Sequence, residues 1–519
     1  MNSFINIFNN ALLGVLCGFD RVMFQGHILP LMYPAGAMSF FDRQRILYKD
    51  AKDWFLKQTI MLTEAVHQWA MKECGEGIIY LPSSNSRKEA IAREQQEKKG
   101  IETGLIGVWS CVESCRSYKI IRSEKKPVLQ NDNTRCKHLY LYFEHPIFGF
   151  MHIRIQTWFP YKIQIAMNGR EWLSRQLKAE GIGFERHRNK FLYIDDFDQA
   201  QKLLNQQLDT EWCKTFNNFL HQAFPTMEST LGPNLSYTWT CWQSEWATDF
   251  VFKNVNEVPK IIENQVQHAF MTGHAGCLFR YFGRPVNAHG EPRKNYSGSI
   301  QTNIKDINEG VRIRHWIDSN SVKLYNEQNT IRIETTINQP SVFKVHRRKQ
   351  GDEADAPKQR LPLRKGVADI VLRAQVSQDV NNRFAENLCS AKISTSLDEL
   401  LQTITQAKNK NGRRVRALDP IGKDKTILDA VSSPEFTIAG FGNKDIRKII
   451  FDKEQYKHKT DKQLSGTVSR LFRILRDHGI IRKLPKQNRY LLTSHGRQFT
   501  SAIQIARSVS IDELLKIAA

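Results

Sequence analysis

The chain predicts an α+β, multidomain protein: a mixed α/β body on a largely antiparallel sheet, then a smaller basic C-terminal domain of helices and a hairpin. Three observations predict it. At 519 residues the chain exceeds what one hydrophobic core organises, so about two to four domains are expected. Period-two alternation, the mark of half-buried strands, recurs over residues 107–167 and 311–338, while period-3.6 stretches occupy 41–74 and much of 443–506. Charge is unevenly placed: 75 Lys and Arg against 53 Asp and Glu give +22, and residues 401–519 hold 24 of those cations against 11 acids, a surplus of +13. The expected divisions are a body over 1–342, a charged linker and bridging helix over 343–395, and a basic region over 396–519.

Composition narrows the function classes. A basic excess of this size favours polyanionic partners, nucleic acid first, with DNA ahead of structured RNA, and an anionic membrane second. No stretch reaches the ~18 to 20 apolar residues of a membrane span, so no membrane partner is expected. The apolar run Ala11–Leu16 has no basic segment before it and no small-residue cleavage site after it, unlike a secretory signal. Nine scattered cysteines fit a reducing cytoplasm better than a disulfide framework. A homodimer is compatible with the pattern, which leaves oligomeric state open.

In chain order, Phe19–Gly26 reads as a first strand, with Asp20 either a salt-bridge residue or a carboxylate presented by the sheet. Helical spacing runs from Phe41 to Cys74, a short strand over Ile78–Pro82 and a charged helix over Arg87–Lys99. Gly107–Cys111, Leu139–Phe143, Met151–Trp158 and Lys162–Met167 read as antiparallel strands. On the third, His152, Arg154 and Gln156 alternate with Ile153, Ile155 and Thr157, so one polar face carries an imidazole and a guanidinium. His152 is either a hydrogen-bonded face residue or a metal ligand, and Arg154 a phosphate contact. Cys111, Cys115, Cys136 and His138 have the residue types of a zinc site, but the spacing is off the usual C-x2-C; buried free thiols are the expected state. Trp239–Phe250 is rich in tryptophan, expected as core rather than a base-stacking platform, and sets Glu245 and Asp249 on one face if helical.

The stretch Val311–Asn338 carries the chemistry. Val311, Ile313, Val322 and Leu324 point one way, and Arg312, Arg314, Lys323 and Tyr325 the other; a turn at Asn326–Asn329 then leads into Ile331, Ile333, Thr335 and Ile337, with Arg332, Glu334 and Thr336 opposite. The open face would gather Lys323, Tyr325, Arg332 and Glu334: cations to neutralise a phosphate, a phenol to attack it, and a carboxylate to hold a metal. An ordinary charged sheet face has the same composition. The pattern Leu-Tyr-Asn-Glu then Ile-Arg-Ile-Glu resembles the tyrosine and R-x-E strands of rolling-circle replication initiators, which nick DNA through a tyrosine and a divalent metal. The paired-histidine motif of the best-known nickases is absent. That resemblance implies a metal-dependent tyrosine endonuclease with Tyr325 as nucleophile, Asp20, His152 and Glu334 as metal or acid–base groups, Arg332 and Lys323 as phosphate clamps, and Mg²⁺ or Mn²⁺ as cofactor.

Lys344–Lys365 has the composition of a linker, and Ala368–Leu388 of a bridging helix. The basic run Lys408–Arg416 reads as a solvated loop or a second phosphate contact. Further on come a short helix, Asn443–Phe451, and a longer one, Asp461–Asp477, with Leu464, Val468, Leu471, Phe472 and Leu475 on its apolar stripe. A basic hairpin over Ile480–Thr493 and a closing helix over Ser494–Ala506 complete the region. This order resembles winged-helix DNA-binding domains of the MarR-like kind over about 432–506. It implies that Gln463, Thr467, Arg470 and Arg473 read a major groove while Lys483, Lys486 and Arg489 lie on phosphates. The layout as a whole resembles a group of bacterial proteins, a likeness that implies no activity. Two function classes follow: a mobile-element or replication protein that cuts or joins a phosphodiester, and a non-catalytic binder or regulator on DNA or structured RNA.

Overall fold

A computed structural model describes residues 1–121, 127–223, 236–259, 261–262, 275–287, 291–293, 295–307, 310–353, 355–388, 397–410, 412–433, 436, 440–484 and 487–508. Its strands are β1 (Leu12–Ile28), β2 (Ile78–Tyr80), β3 (Gly104–Ile121), β4 (Val128–His145), β5 (Gly149–Gln156), β6 (Ile163–Asn168), β7 (Phe184–His187), β8 (Lys190–Ile194), β9 (Tyr237–Phe252), β10 (Ile300–Ile307), β11 (Gly310–Ile317), β12 (Asn320–Glu327) and β13 (Thr330–Ile337). The expected mixed body with a largely antiparallel sheet is what the chain builds. It divides into two compact units: Leu13–Val251 with Glu334–Asp379, and Met1–Leu12 with Phe252–Ile333 and Val380–Ala519.

In the first-named unit the strands run β9-β1-β6-β5-β4-β3-β2, with the Glu334–Ile337 end of β13 beside β9. Successive pairs from β1 to β3 are antiparallel, and only β2 joins β3 in parallel. Alternation sorts the residues by face. Leu139, Leu141, Ile153, Ile155, Ile163 and Ile165 enter the main core, while their neighbours Tyr140, Tyr142, His152, Arg154, Gln164 and Ala166 point the other way. Helices Pro34–Arg43 and Ala51–Cys74 close the core through Phe41 and Phe55, whose rings lie 5.6 and 4.6 Å from Phe159. Helix Trp212–Ala223 adds Phe216, 4.6 Å from Phe24. On the polar face a smaller cluster of Trp109, Tyr140, Tyr142 and Phe150 sits under helix Lys88–Lys99, which contributes Ala92.

Trp239–Phe250 is strand, not helix: β-branched and aromatic residues fill it, the composition that suits a pleated surface. Trp239 and Trp246 are core, as expected, whereas Trp242 is 43 % exposed with Lys365 over its ring. The segment expected as a linker contains a hairpin, Lys344–Arg347 with Gln359–Pro362, and ends in helix Ile370–Leu388. Arg373 of that helix donates to Cys241, Ser244 and the Ile337 carbonyl, tying its first turns to β9 and β13.

In the other unit β10, β11 and β12 pair antiparallel, with Arg312 opposite Tyr325 and Arg314 opposite Lys323. The expected facing holds except at Val311: Ile313, Val322 and Leu324 are buried, while Val311 and the four polar partners are half-buried. The C-terminal helices have a separate core, with Leu464, Val468, Phe472 and Leu475 packed against Ile446, Ile450, Phe441 and Phe499. Lys408–Lys410 and Arg413–Val415 form a hairpin rather than a loop.

Candidate metal centre and adjoining cleft

Three neighbouring strands each supply one carboxylate. Asp20 of β1, Glu245 of β9 and Glu334 of β13 place their ligand oxygens within 4.8 Å of one another; Asp20 and Glu334 are buried and Glu245 is half-buried. Oxygens sharing one Mg²⁺ at ~2.1 Å lie about 3 to 4.2 Å apart, so small side-chain shifts would close this set on an ion. Hard carboxylate donors suit Mg²⁺, Mn²⁺ or Ca²⁺ rather than a thiophilic metal. Asp20 is held from behind: the Asn189 amide donates to it, and the Asn189 carbonyl oxygen accepts from Asn168 at 2.7 Å. Asn168 in turn caps helix Gly169–Ala179, its side-chain oxygen accepting from the Arg170 and Glu171 amides. Such outer partners fix the orientation of a ligand.

Glu245 also lines a cleft of about 310 Å³ on the polar face, with Arg21, Glu89, Arg93, Phe150, His152, Asn168 and Gln243 around it. Arg21 stands opposite Asn168 in the β1–β6 pair. Arg21 is exposed at the cleft mouth; partial desolvation works against its charge, but the field of Asp20, Glu245, Glu89 and Glu334 more than compensates and raises its pKa. Arg93 is less available, being paired with Glu171 at 3.1 Å and stacked over the Phe150 ring at 4.0 Å. Four residues beyond Glu245, Asp249 makes a fully buried ion pair with Arg170 at 2.8 Å.

The structure brings together two of the three expected metal ligands, Asp20 and Glu334, and replaces the third. His152 lies on the cleft wall outside the carboxylate cluster, 5.0 Å from the Tyr142 ring. Burial, then Arg154 and Lys88, lower its pKa to about 4, so it is neutral at pH 7. Glu245 takes its place. The sequence left the element over 239–250 open, with Glu245 and Asp249 on one face only if helical; as a strand it sets Glu245 on the sheet beside Asp20.

The open face expected of the 311–338 hairpin is not fully open. Every position of β13 is buried, with Arg332 1 % and Glu334 0 % exposed. Arg332 is therefore no surface phosphate clamp. Tyr325 is half-buried with the Lys323 ammonium 5.6 Å from its ring centre, and Arg314 covers Trp316 and donates to Ser321. Tyr325 belongs to one unit and the carboxylate triad to the other. Arg154, expected on phosphate, is committed internally: it donates to Glu113 at 2.6 Å, Tyr140 at 2.9 Å and Gln164 at 2.9 Å.

Cys111, Cys115, Cys136 and His138 share one face of β3 and β4 but do not close on a single point. Cys111 lies 3.1 Å from Glu113, whereas Cys136 lies 3.8 Å from His138 and hydrogen-bonds with Cys115. Among the described residues they form no metal cluster.

In the C-terminal region Gln463, Arg470, Arg473 and Lys483 are exposed and Thr467 is half-buried. Gln463 closes a capping box with Thr460 at the start of its helix. Arg489 is turned inward, donating to the Gly440 carbonyl at 2.7 Å and pairing with Asp445 at 3.3 Å, so it is not a wing-tip phosphate contact. Lys486 lies outside the described residues.

Compared with family models, curated proteins and solved structures, the chain matches none.

Proposed function

We propose that this chain is a nucleic-acid-binding protein that cuts a phosphodiester at the Asp20–Glu245–Glu334 triad with Mg²⁺ or Mn²⁺. The observation that carries the reading is the convergence of three carboxylates from adjacent strands beside a cleft that Arg21 lines. A divalent ion there would neutralise a phosphate oxygen and favour ionisation of a bound water. Arg21 would hold a second phosphate oxygen by its planar fork of donors. A water oxygen would form the new P–O bond as Glu245 takes one of its protons, and the bond to the departing sugar oxygen would break, that oxygen taking a proton from solvent and leaving as the alcohol.

Delivery to nucleic acid falls to the basic C-terminal region. The order helix, helix, hairpin, helix over 443–508, with Arg470 and Arg473 exposed on Asp461–Asp477, supports a winged helix that seats this helix in a major groove. The test is cleavage of end-labelled DNA and RNA in Mg²⁺ or Mn²⁺ by the wild type and Glu334→Gln. The reading expects metal-dependent cutting that the variant loses while it still binds. No cutting of any substrate would favour the non-catalytic binder, for which the basic surplus speaks. Tyr325→Phe separates two chemistries: retained cutting with no covalent protein–nucleic acid adduct supports water, whereas lost cutting and an adduct in the wild type support the phenol.

A further inference from the structure

A second cleft, of about 410 Å³, lies on the same unit and is lined by Met32, Arg116–Tyr118, Asn131–Asn133, Pro160 and Lys162. Arg116 and Lys162 are its cations. Neither makes an ion pair among the described residues, although Asp132 also lines the cleft, so the walls carry a net positive charge. Burial and then the neighbouring Arg116 charge lower the Lys162 pKa, as expected of two like charges near one another. Their placement is built from below. The buried Gln156 donates its side-chain amide to the Arg116 carbonyl at 3.3 Å and its backbone N–H to the Lys162 carbonyl at 2.9 Å, fixing both backbones on one residue. Asn131 and Asn133 add amide donors at the rim.

This cleft and the one beside the triad lie at opposite ends of β6. Lys162 stands just before the strand, and Ala166 and Asn168 line the triad cleft. Lys162, Gln164, Ala166 and Asn168 are all half-buried and alternate with buried Ile163, Ile165 and Met167, which puts them on one face. From Lys162 to Asn168 is about 20 Å at ~3.3 Å per residue.

We infer that Arg116 and Lys162 form a phosphate subsite that holds the backbone of a nucleic-acid strand about 20 Å along β6 from the end of the strand beside the acidic triad. The inference rests on the nucleic-acid reading above. It is tested with the full chain and a labelled single-stranded oligodeoxynucleotide of about 20 nucleotides, longer than the ~16 of the larger single-strand sites. Affinity is followed by fluorescence anisotropy over a salt series for the wild type, Arg116→Ala/Lys162→Ala, and a charge-matched control, Lys178→Ala/Lys202→Ala, all checked for unchanged melting. The subsite predicts weaker binding and a log K against log salt slope shallower by about 1.4 in the first variant, from ~0.7 per phosphate contact on a single strand, with the control near the wild type. Equal slopes in all three overturn the subsite, and cutting that persists in the wild type then leaves the triad reading standing. A wild type that binds no oligonucleotide overturns both. Inorganic phosphate provides the last arm: if it raises the melting temperature of the wild type but not of the Arg116/Lys162 variant, while oligonucleotide binding is unchanged between them, free phosphate is the occupant and the strand-holding role fails.

Discussion

Replacing Glu245 with Gln should stabilise the metal-free protein and abolish its response to divalent ions. Two carboxylates with oxygens no more than 4.8 Å apart repel by about 3 kcal/mol or more at an effective dielectric of ~20. Glu245 takes part in two of the three such pairs, while Arg21 returns part of that energy through its attraction to the same groups. A net gain on the order of 1–3 kcal/mol is expected for the variant, or a rise of a few degrees in the midpoint of thermal unfolding. Gln keeps the shape and one acceptor oxygen, so packing changes little. Millimolar Mn²⁺ should act oppositely on the two proteins: at about 100 times its dissociation constant an ion adds ~2.7 kcal/mol to the native state that binds it, so the wild type rises and the variant does not. The assay is differential scanning fluorimetry with and without metal. A variant less stable than the wild type in chelator, or one that gains as much from Mn²⁺, would show that the three carboxylates do not share an ion.

Further outcomes follow from other parts of the molecule. Asp249→Ala strands the buried Arg170 charge, and loss of one partner from a buried pair costs roughly 3–5 kcal/mol; urea unfolding of the variant measures it. Arg470→Ala/Arg473→Ala should weaken duplex binding at every sequence or relax it at one position, with a salt slope shallower by up to about 0.9 per lost phosphate contact in a filter-binding series. Burial holds the His138 and His315 pKa values down to about 4. Their unfolded values are higher, near 6.5, so the unfolded chain binds protons first and stability falls as pH drops from about 6.5 towards 4. Glu113 responds lower on the scale: burial alone would raise its pKa, but hydrogen bonds from Cys111, Tyr140 and Arg154 outweigh it and hold the group at about 2. Its contribution is present above the unfolded carboxylate pKa and is lost as pH falls from about 4.5 towards 2. Unfolding midpoints across that range, with His138→Gln and Glu113→Gln as references, check both trends.

Much of the architecture was legible because local signals and burial agree. The strands around Leu139–Met167 and the hairpin over 311–338 announced themselves by alternation, and Asp461–Asp477 by its apolar stripe. Two metal-ligand candidates, Asp20 and Glu334, could be read because each is an acid set within a strand. Glu245 was missed because a segment rich in tryptophan gives no clean period of either kind, and β9 has buried residues at most positions beyond Gln243. Burial also decided the fate of the basic residues. Arg332 looked exposed by alternation, yet every position of β13 is buried; Arg154 looked like a phosphate contact until Glu113, across two strands, was placed against it. Alternation tells which residues share a face, while what covers that face is set by distant chain.

The most direct test is a Mn²⁺ titration followed by electron paramagnetic resonance, on the wild type and on Glu334→Gln, each full length and folded. The account predicts one ion per wild-type chain, displaced by Mg²⁺, and loss of that binding in the variant. Equal Mn²⁺ binding by both proteins, or none by the wild type, would contradict it.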